Sequence, residues 1–264
     1  MVFSKWPHWF LQAFGGMPSR YVCWDLETIG QGGPGEALIW QVGHVVVVDG
    51  KVVDRFEAIL NWAESDLLRA DTVQEALQQH QLHSVAGDSA KYRLSWDRLV
   101  KEGQRPEKVM TEWPRQLERL QQAGFKFVGH NVYSFDEKVL YHFIHDLDTY
   151  PEFSFGDWDL IDTCILEKLN QLEHESRAEP RSGDTLRSYM LRSASPGAKV
   201  YSNLPTHCVT KYGLRPPTGS KWDRVHNASY DAYLCFLLME IFKYNYQINL
   251  VKKTTQRHWR QRNV

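Results

Sequence analysis

The chain of 264 residues has only four cysteines, Cys23, Cys164, Cys208 and Cys235, and no two of them form a C-x-x-C pair. That scatter argues against a zinc ribbon and against a disulfide-stapled scaffold. It fits reduced, partly buried thiols in a non-oxidising compartment. His207-Cys208 has no second pair at metal-binding spacing. Long apolar runs are also missing, so no segment is predicted to cross a bilayer and no membrane partner is expected. The aromatic opening MVFSKWPHWFLQAFGG is interrupted by Pro7, His8 and Gln12, too early for the apolar stretch of a signal peptide. A cytoplasmic or nucleoplasmic location is the expectation. Neither sign of charge is in excess, with 31 Lys and Arg against 32 Asp and Glu, so bulk electrostatics favour no class of partner. The loop Gln31-Gly-Gly-Pro-Gly35 lacks both a following Lys-Ser/Thr and a G-x-G-x-x-G frame, which argues against a phosphate cradle. Internal repeats and low-complexity tracts are absent as well.

What is present is the composition of an ordinary globular chain, 42% hydrophobic and 24% charged, long enough to bury a sizeable core. Tyr21–Gly30 reads as a strand entering that core. Leu38–Val48 is an apolar run, Asp49-Gly50 a favoured hairpin turn, and Val52–Leu60 an alternating strand. Helix-forming composition covers residues 62–82. A helix is predicted from Pro106 to about Gln122, since proline suits a first helical position. Phe125–His130 and Trp158–Thr163 read as short strands; helices are expected over 135–145, 164–172, 185–191 and 229–246. Three strands followed by alternating helix and strand imply one mixed α/β sheet with helices on both faces.

Asp25 and Glu27 stand two residues apart on the first strand, so their side chains share a face. Two adjacent carboxylates repel unless they are solvated, protonated or neutralised by a cation. An all-oxygen pair of this kind suits hard divalent ions such as Mg²⁺ or Mn²⁺. Further along, Phe125–His130 runs into G-H-N-V-Y-S-F-D, ending at Asp136, and the last helix is introduced by H-N-A-S-Y-D, with His226 five residues before Asp231.

With D-L-E-T at Asp25, these three segments resemble the DEDD (DnaQ-like) superfamily of 3′–5′ exonucleases, in the family's order and over roughly residues 20–245. A histidine five residues before the last aspartate marks the histidine (DEDDh) branch; the tyrosine branch has its residue four before, where this chain has Asn227. The resemblance implies a ribonuclease H-like five-stranded sheet, three antiparallel strands then two parallel, flanked by helices. It implies catalytic residues Asp25, Glu27, Asp136, His226 and Asp231. The four carboxylates would hold two divalent ions, Mg²⁺ or Mn²⁺, about 3.5–4 Å apart. His226 would take the proton of the attacking water. Leu26 and Thr28 would contact the terminal nucleotide, and Asn131 would support the middle segment.

The resemblance implies a nuclease that removes nucleoside 5′-monophosphates from the 3′ end of single-stranded DNA. The same chemistry on RNA 3′ ends, and a proofreading or accessory module docked on a replication partner through the aromatic N-terminus, are the alternatives. Ile29, Gln41 and Asn227 depart from residues common in the family, and none of them is a ligand position. The domain is expected over 20–248, between an N-terminal extension (1–19) and a basic tail (249–264), with insertions near 62–90 and 193–221. The second insertion mixes Lys199, Tyr201, Lys211, Tyr212 and Arg215, a composition suited to single-stranded nucleic acid. From Lys243 to Val264 there are six Lys and Arg and no acid, which would favour phosphates. Oligomeric state is not legible in the sequence.

Overall fold

In the computed structural model the described residues are 17–29, 37–65, 74–75, 78, 96–146, 148–157, 159–171, 185–193, 212 and 227–261. Three strands open the fold: β1 (Arg20–Ile29), β2 (Leu38–Val48) and β3 (Lys51–Ile59). Asp49 and Gly50 both take positive φ, 49° and 74°, which gives the turn a twist that matches the β2–β3 hairpin. Farther along come the helices α1 (Trp96–Glu102) and α2 (Pro106–Gln122), then β4 (Lys126–Gly129) and α3 (Asp136–Asp146). The chain continues through β5 (Leu160–Asp162), α4 (Thr163–Gln171), α5 (Leu186–Ser193) and α6 (Ala228–Gln261).

The strands form one sheet in the order β3-β2-β1-β4-β5. β1–β2 and β2–β3 are antiparallel, while β1–β4 and β4–β5 are parallel. This is the ribonuclease H-like mixed sheet expected from the sequence. Successive residues of a strand face opposite sides, and two neighbouring rows show what each side does. Trp24, His44 and Phe56 lie level across β1, β2 and β3. On that face Trp113 of α2 donates its indole N–H to His44 Nδ1 at 2.9 Å, and its ring lies 6.1 Å from that of Trp24. The next row, Asp25, Gly43 and Glu57, belongs to the opposite face, where α6 crosses β1 and β2. One side of the sheet is therefore sealed by aromatic packing, and the other carries the acids.

Several element bounds differ from the sequence reading. Within 62–82 the described residues form a 3-10 turn at Trp62–Glu64, with the Trp62 indole N–H on the Ile39 carbonyl, and Gln74, Glu75 and Gln78 are helical, as the composition suggested; the rest of the segment lies outside the described residues. The last helix does not end near residue 246 but continues to Gln261. No glycine or proline lies between Ala228 and Gln261 to stop it, so most of the expected basic tail is helical. Cys23, Cys164 and Cys235 are buried and in no disulfide, as their spacing suggested. Among the described residues, no helix is long and apolar enough to cross a membrane. The N-terminal extension up to residue 16, Trp158, Cys208 and most of the 193–221 insertion lie outside the described residues.

Candidate metal centre

The site arises where one neighbour of β1 stops. β4 pairs with β1 only at Tyr21, Val22 and Cys23, whereas β2 stays paired along the whole of β1 to Ile29, with a register shift between Glu27 and Thr28. The acids expected at a strand end thus sit within a strand; it is the adjacent strand that has ended. From Asp25 onward no strand among the described residues pairs with that edge of β1, at the carboxyl ends of the parallel strands, the usual place for a site in such a sheet.

Asp136, the first residue of α3, fills part of that gap. Its Oδ1 accepts the Leu26 N–H at 3.3 Å. The loop that delivers it is anchored by Asp162, which accepts N–H groups of Asn131 (2.9 Å) and Tyr133 (3.2 Å) and, at the start of α4, those of Cys164 (2.9 Å) and Ile165 (3.3 Å). Asn131 turns the chain with a left-handed φ of 62°, a conformation asparagine tolerates better than most residues. Its carbonyl then accepts Ser134 N and Phe135 N at 3.1 and 3.2 Å.

Asp231 arrives from the first turn of α6. Carboxylate oxygens of Asp25, Glu27 and Asp231 all lie within 4.8 Å of one another. Asp231 and Asp136 are each 7% exposed; Asp25 and Glu27 are partly exposed. Burial, and then the charges of Asp136, Asp231 and Glu27, push the Asp25 carboxyl well above the usual carboxylate range. Glu27 is pushed the same way by burial, by the charge of Asp231 and by a hydrogen bond to it. A hydrogen bond between two carboxylates requires a proton on one of them. Asp136 is raised to about 7 by burial, against the pull of the Leu26 N–H. Such a cluster must hold protons or a cation. Its donors are all oxygens, so Asp25, Glu27 and Asp231 fit a hard divalent ion; Asp136 stands beside them and is not part of the group that converges within 4.8 Å.

The other residues singled out in the sequence fall as follows. Leu26 is 6% exposed and its side chain belongs to the core, so what it brings to the site is the N–H held by Asp136. Thr28 is partly exposed on the same strand, and Asn131 is exposed at the turn before α3. Tyr212 packs against the core and gives its hydroxyl to Glu167. His226, Lys199, Tyr201, Lys211 and Arg215 lie outside the described residues.

Three residues that shape the site have no site role assigned from the sequence. Gly43 lies opposite Asp25 on β2, and a Cβ there would come within 2.4 Å of Ser229 N and 2.6 Å of the Ala228 carbonyl carbon. Only a glycine lets the start of α6 rest on the strand; an isolated glycine in an apolar strand was its signal. Asp162 was visible as the acid opening a helix after a strand, the position of a cap. Glu57 had no sequence signal, because its role depends on the register of three strands.

No protein-family model and no curated protein matches the chain by sequence. Solved structures do match. One is Escherichia coli exonuclease I in complex with a dT13 oligonucleotide, at 16% identity and a TM-score of 0.52, over 89% of this chain and 43% of that one. Another is a moderately thermophilic exonuclease I from Methylocaldum szegediense, at 15% identity and a TM-score of 0.51, over 84% of this chain and 39% of that one. The chain thus spans about two fifths of the length of these structures. At that identity the likeness is one of architecture: this chain has the ribonuclease H-like fold of the exonuclease I structures.

Proposed function

We propose that this chain is a metal-dependent 3′–5′ exonuclease that hydrolyses the terminal phosphodiester of single-stranded DNA and releases nucleoside 5′-monophosphates. The observation that carries the reading is the convergence of Asp25, Glu27 and Asp231 within 4.8 Å, beside an Asp136 tied to the same strand. Three sequence segments far apart in the chain deliver these acids to one open strand edge, where a phosphate could approach.

In this reading Asp25, Glu27, Asp136 and Asp231 hold two divalent ions, which when bound neutralise developing phosphoryl charge and activate water. The chain's own contributions are geometric and electrostatic. The β1 backbone fixes Asp25 and Glu27 on one face, the Leu26 N–H orients one Asp136 oxygen, and the first turn of α6 presents Asp231. His226 is assigned the role of proton acceptor for the attacking water, because a neutral imidazole is available near neutral pH. The dT13 oligonucleotide bound by the E. coli fold neighbour supports the choice of substrate class.

The test is hydrolysis of 5′-labelled single-stranded DNA, duplex DNA and RNA with Mg²⁺ or Mn²⁺, and with EDTA. Single-stranded DNA should be shortened from its 3′ end only when metal is present. Asp25→Ala and Asp231→Ala should abolish the reaction, and His226→Ala should slow it by about 10²–10⁴-fold with Mn²⁺ still bound. Full activity in Asp25→Ala, or in EDTA, would overturn the assignment. Shortening of RNA alone would keep the chemistry and replace the substrate.

A further inference from the structure

The row Asp25–Gly43–Glu57 runs straight across three strands. Its first member is a candidate metal ligand and its second is the rest on which α6 sits. The third, Glu57 on the edge strand β3, gathers the groups around the start of that helix. Its Oε1 accepts Gln41 Nε2 at 2.9 Å and Asn227 Nδ2 at 3.1 Å; its Oε2 accepts Arg55 at 3.2 Å and the Ser229 hydroxyl. Gln41 and Ser229 have no exposure and Asn227 is 4% exposed.

The residues that Glu57 holds are the same ones that cap the helix. The Gln41 amide oxygen accepts Ala228 N at 3.2 Å, and Asn227 Oδ1 accepts Tyr230 N at 3.0 Å. A negative charge beside a helix N-terminus is also favourable in itself. From this network we infer that Glu57 is a positioning residue for the candidate metal centre. It holds the first turn of α6 through Gln41, Asn227 and Ser229, and so places Asp231 against Asp25 and Glu27. Gly43 is a hard stop below the helix; Glu57 is the tether that keeps the helix against it. Two of the departures from the family pattern, Gln41 and Asn227, are thereby two arms of one network.

The inference rests on the metal-site reading, and the test separates the two. Replacing Glu57 by glutamine turns one acceptor oxygen into a donor. Both oxygens already face donors, so either orientation sets donor against donor. Mn²⁺ binding to the full chain would be titrated calorimetrically for wild type, Glu57→Gln, Ser229→Ala and Val47→Ala, alongside melting temperature and kcat and KM on a single-stranded oligonucleotide. Val47 is a buried residue of β2 remote from the network, and its truncation controls for loss of stability alone.

Glu57→Gln should lose about 10–100-fold in Mn²⁺ affinity, the range for residues that orient metal ligands, with kcat reduced and KM unchanged. Ser229→Ala, which removes one arm and leaves the carboxylate, should lose less in the same direction and serves if Glu57→Gln does not fold. Val47→Ala should melt earlier yet bind Mn²⁺ as wild type does. Wild-type affinity in both Glu57→Gln and Ser229→Ala, or losses matched by Val47→Ala at equal melting temperature, overturns the positioning role. A wild-type chain that binds no Mn²⁺ overturns the metal site, and the positioning role with it.

Discussion

Removing divalent ions should make the protein less stable as pH rises through neutrality, the reverse of what acidic residues usually do. The Asp136 carboxyl is raised from 3.8 to about 7, so the folded chain holds a proton that the unfolded chain has released. The stabilisation is complete below the unfolded value and is lost as pH rises through the folded one, at about 1.4 kcal/mol per pH unit for each proton held. Asp25 and Glu27, pushed above their ordinary range by burial and by their neighbours' charges, act in the same sense. Asp162, raised to about 6 by burial, adds to it only at lower pH. His44 works in the opposite sense, being lowered to about 4 by burial, but only below its ordinary value of 6.5. The carboxyl contribution is therefore read cleanly from pH 6.5 to about 8.

Over that window the proton held by Asp136 amounts to about 0.8 kcal/mol, or a fall in Tm of roughly 2–3 °C for a chain of this size. Thermal melts in EDTA should show it. In excess Mn²⁺ the ion replaces the proton and the slope should flatten. Asp25→Asn removes one of the repelling carboxylates, so in EDTA near pH 8 it should melt above wild type and gain little from Mn²⁺. A Tm in EDTA that is flat or rising from pH 6.5 to 8 would refute the reasoning, since the cluster would then hold no surplus proton.

Two more perturbations probe the scaffold. A Cβ on Gly43 would stand 2.4 Å from Ser229 N where ordinary contact begins near 3.4 Å, so α6 must back away by about 1 Å. Gly43→Ala should cost about 1–3 kcal/mol by urea melt and about 10²-fold in hydrolysis, the penalty of a displacement of that size at a reacting centre. Asp162→Asn cannot accept the four N–H groups now shared between two oxygens. The variant should lose about 1–3 kcal/mol and hydrolyse more slowly, because the loop that leads into Asp136 loses its anchor. Unchanged denaturation midpoints would count against both accounts.

The D-L-E-T strand, the middle segment ending at Asp136 and the helix that carries Asp231 were all legible, because local pattern determines them. Alternation put Asp25 and Glu27 on one face, Asp-Gly marked the hairpin, and Pro106 opened α2. The assembly of the site was not legible in the same way. Gly43 and Glu57 matter through a row of residues drawn from three strands, and only the register brings that row into line. The extent of α6 was missed because polarity after residue 246 was read as a tail, whereas an unbroken run of non-glycine, non-proline residues continues the helix.

The bond from Leu26 N–H to Asp136 has a consequence for how the chain tolerates change in length. At the level of Leu26 the strand β4 has ended, and Asp136 supplies the acceptor that a longer β4 would have offered through its own backbone. The sheet is in effect completed by a side chain. Extending β4 by two residues would keep the sheet satisfied and expel the carboxylate, giving a folded protein without its site. Insertions and deletions between Gly129 and Asp136 should therefore separate stability from activity more sharply than any point substitution in the core.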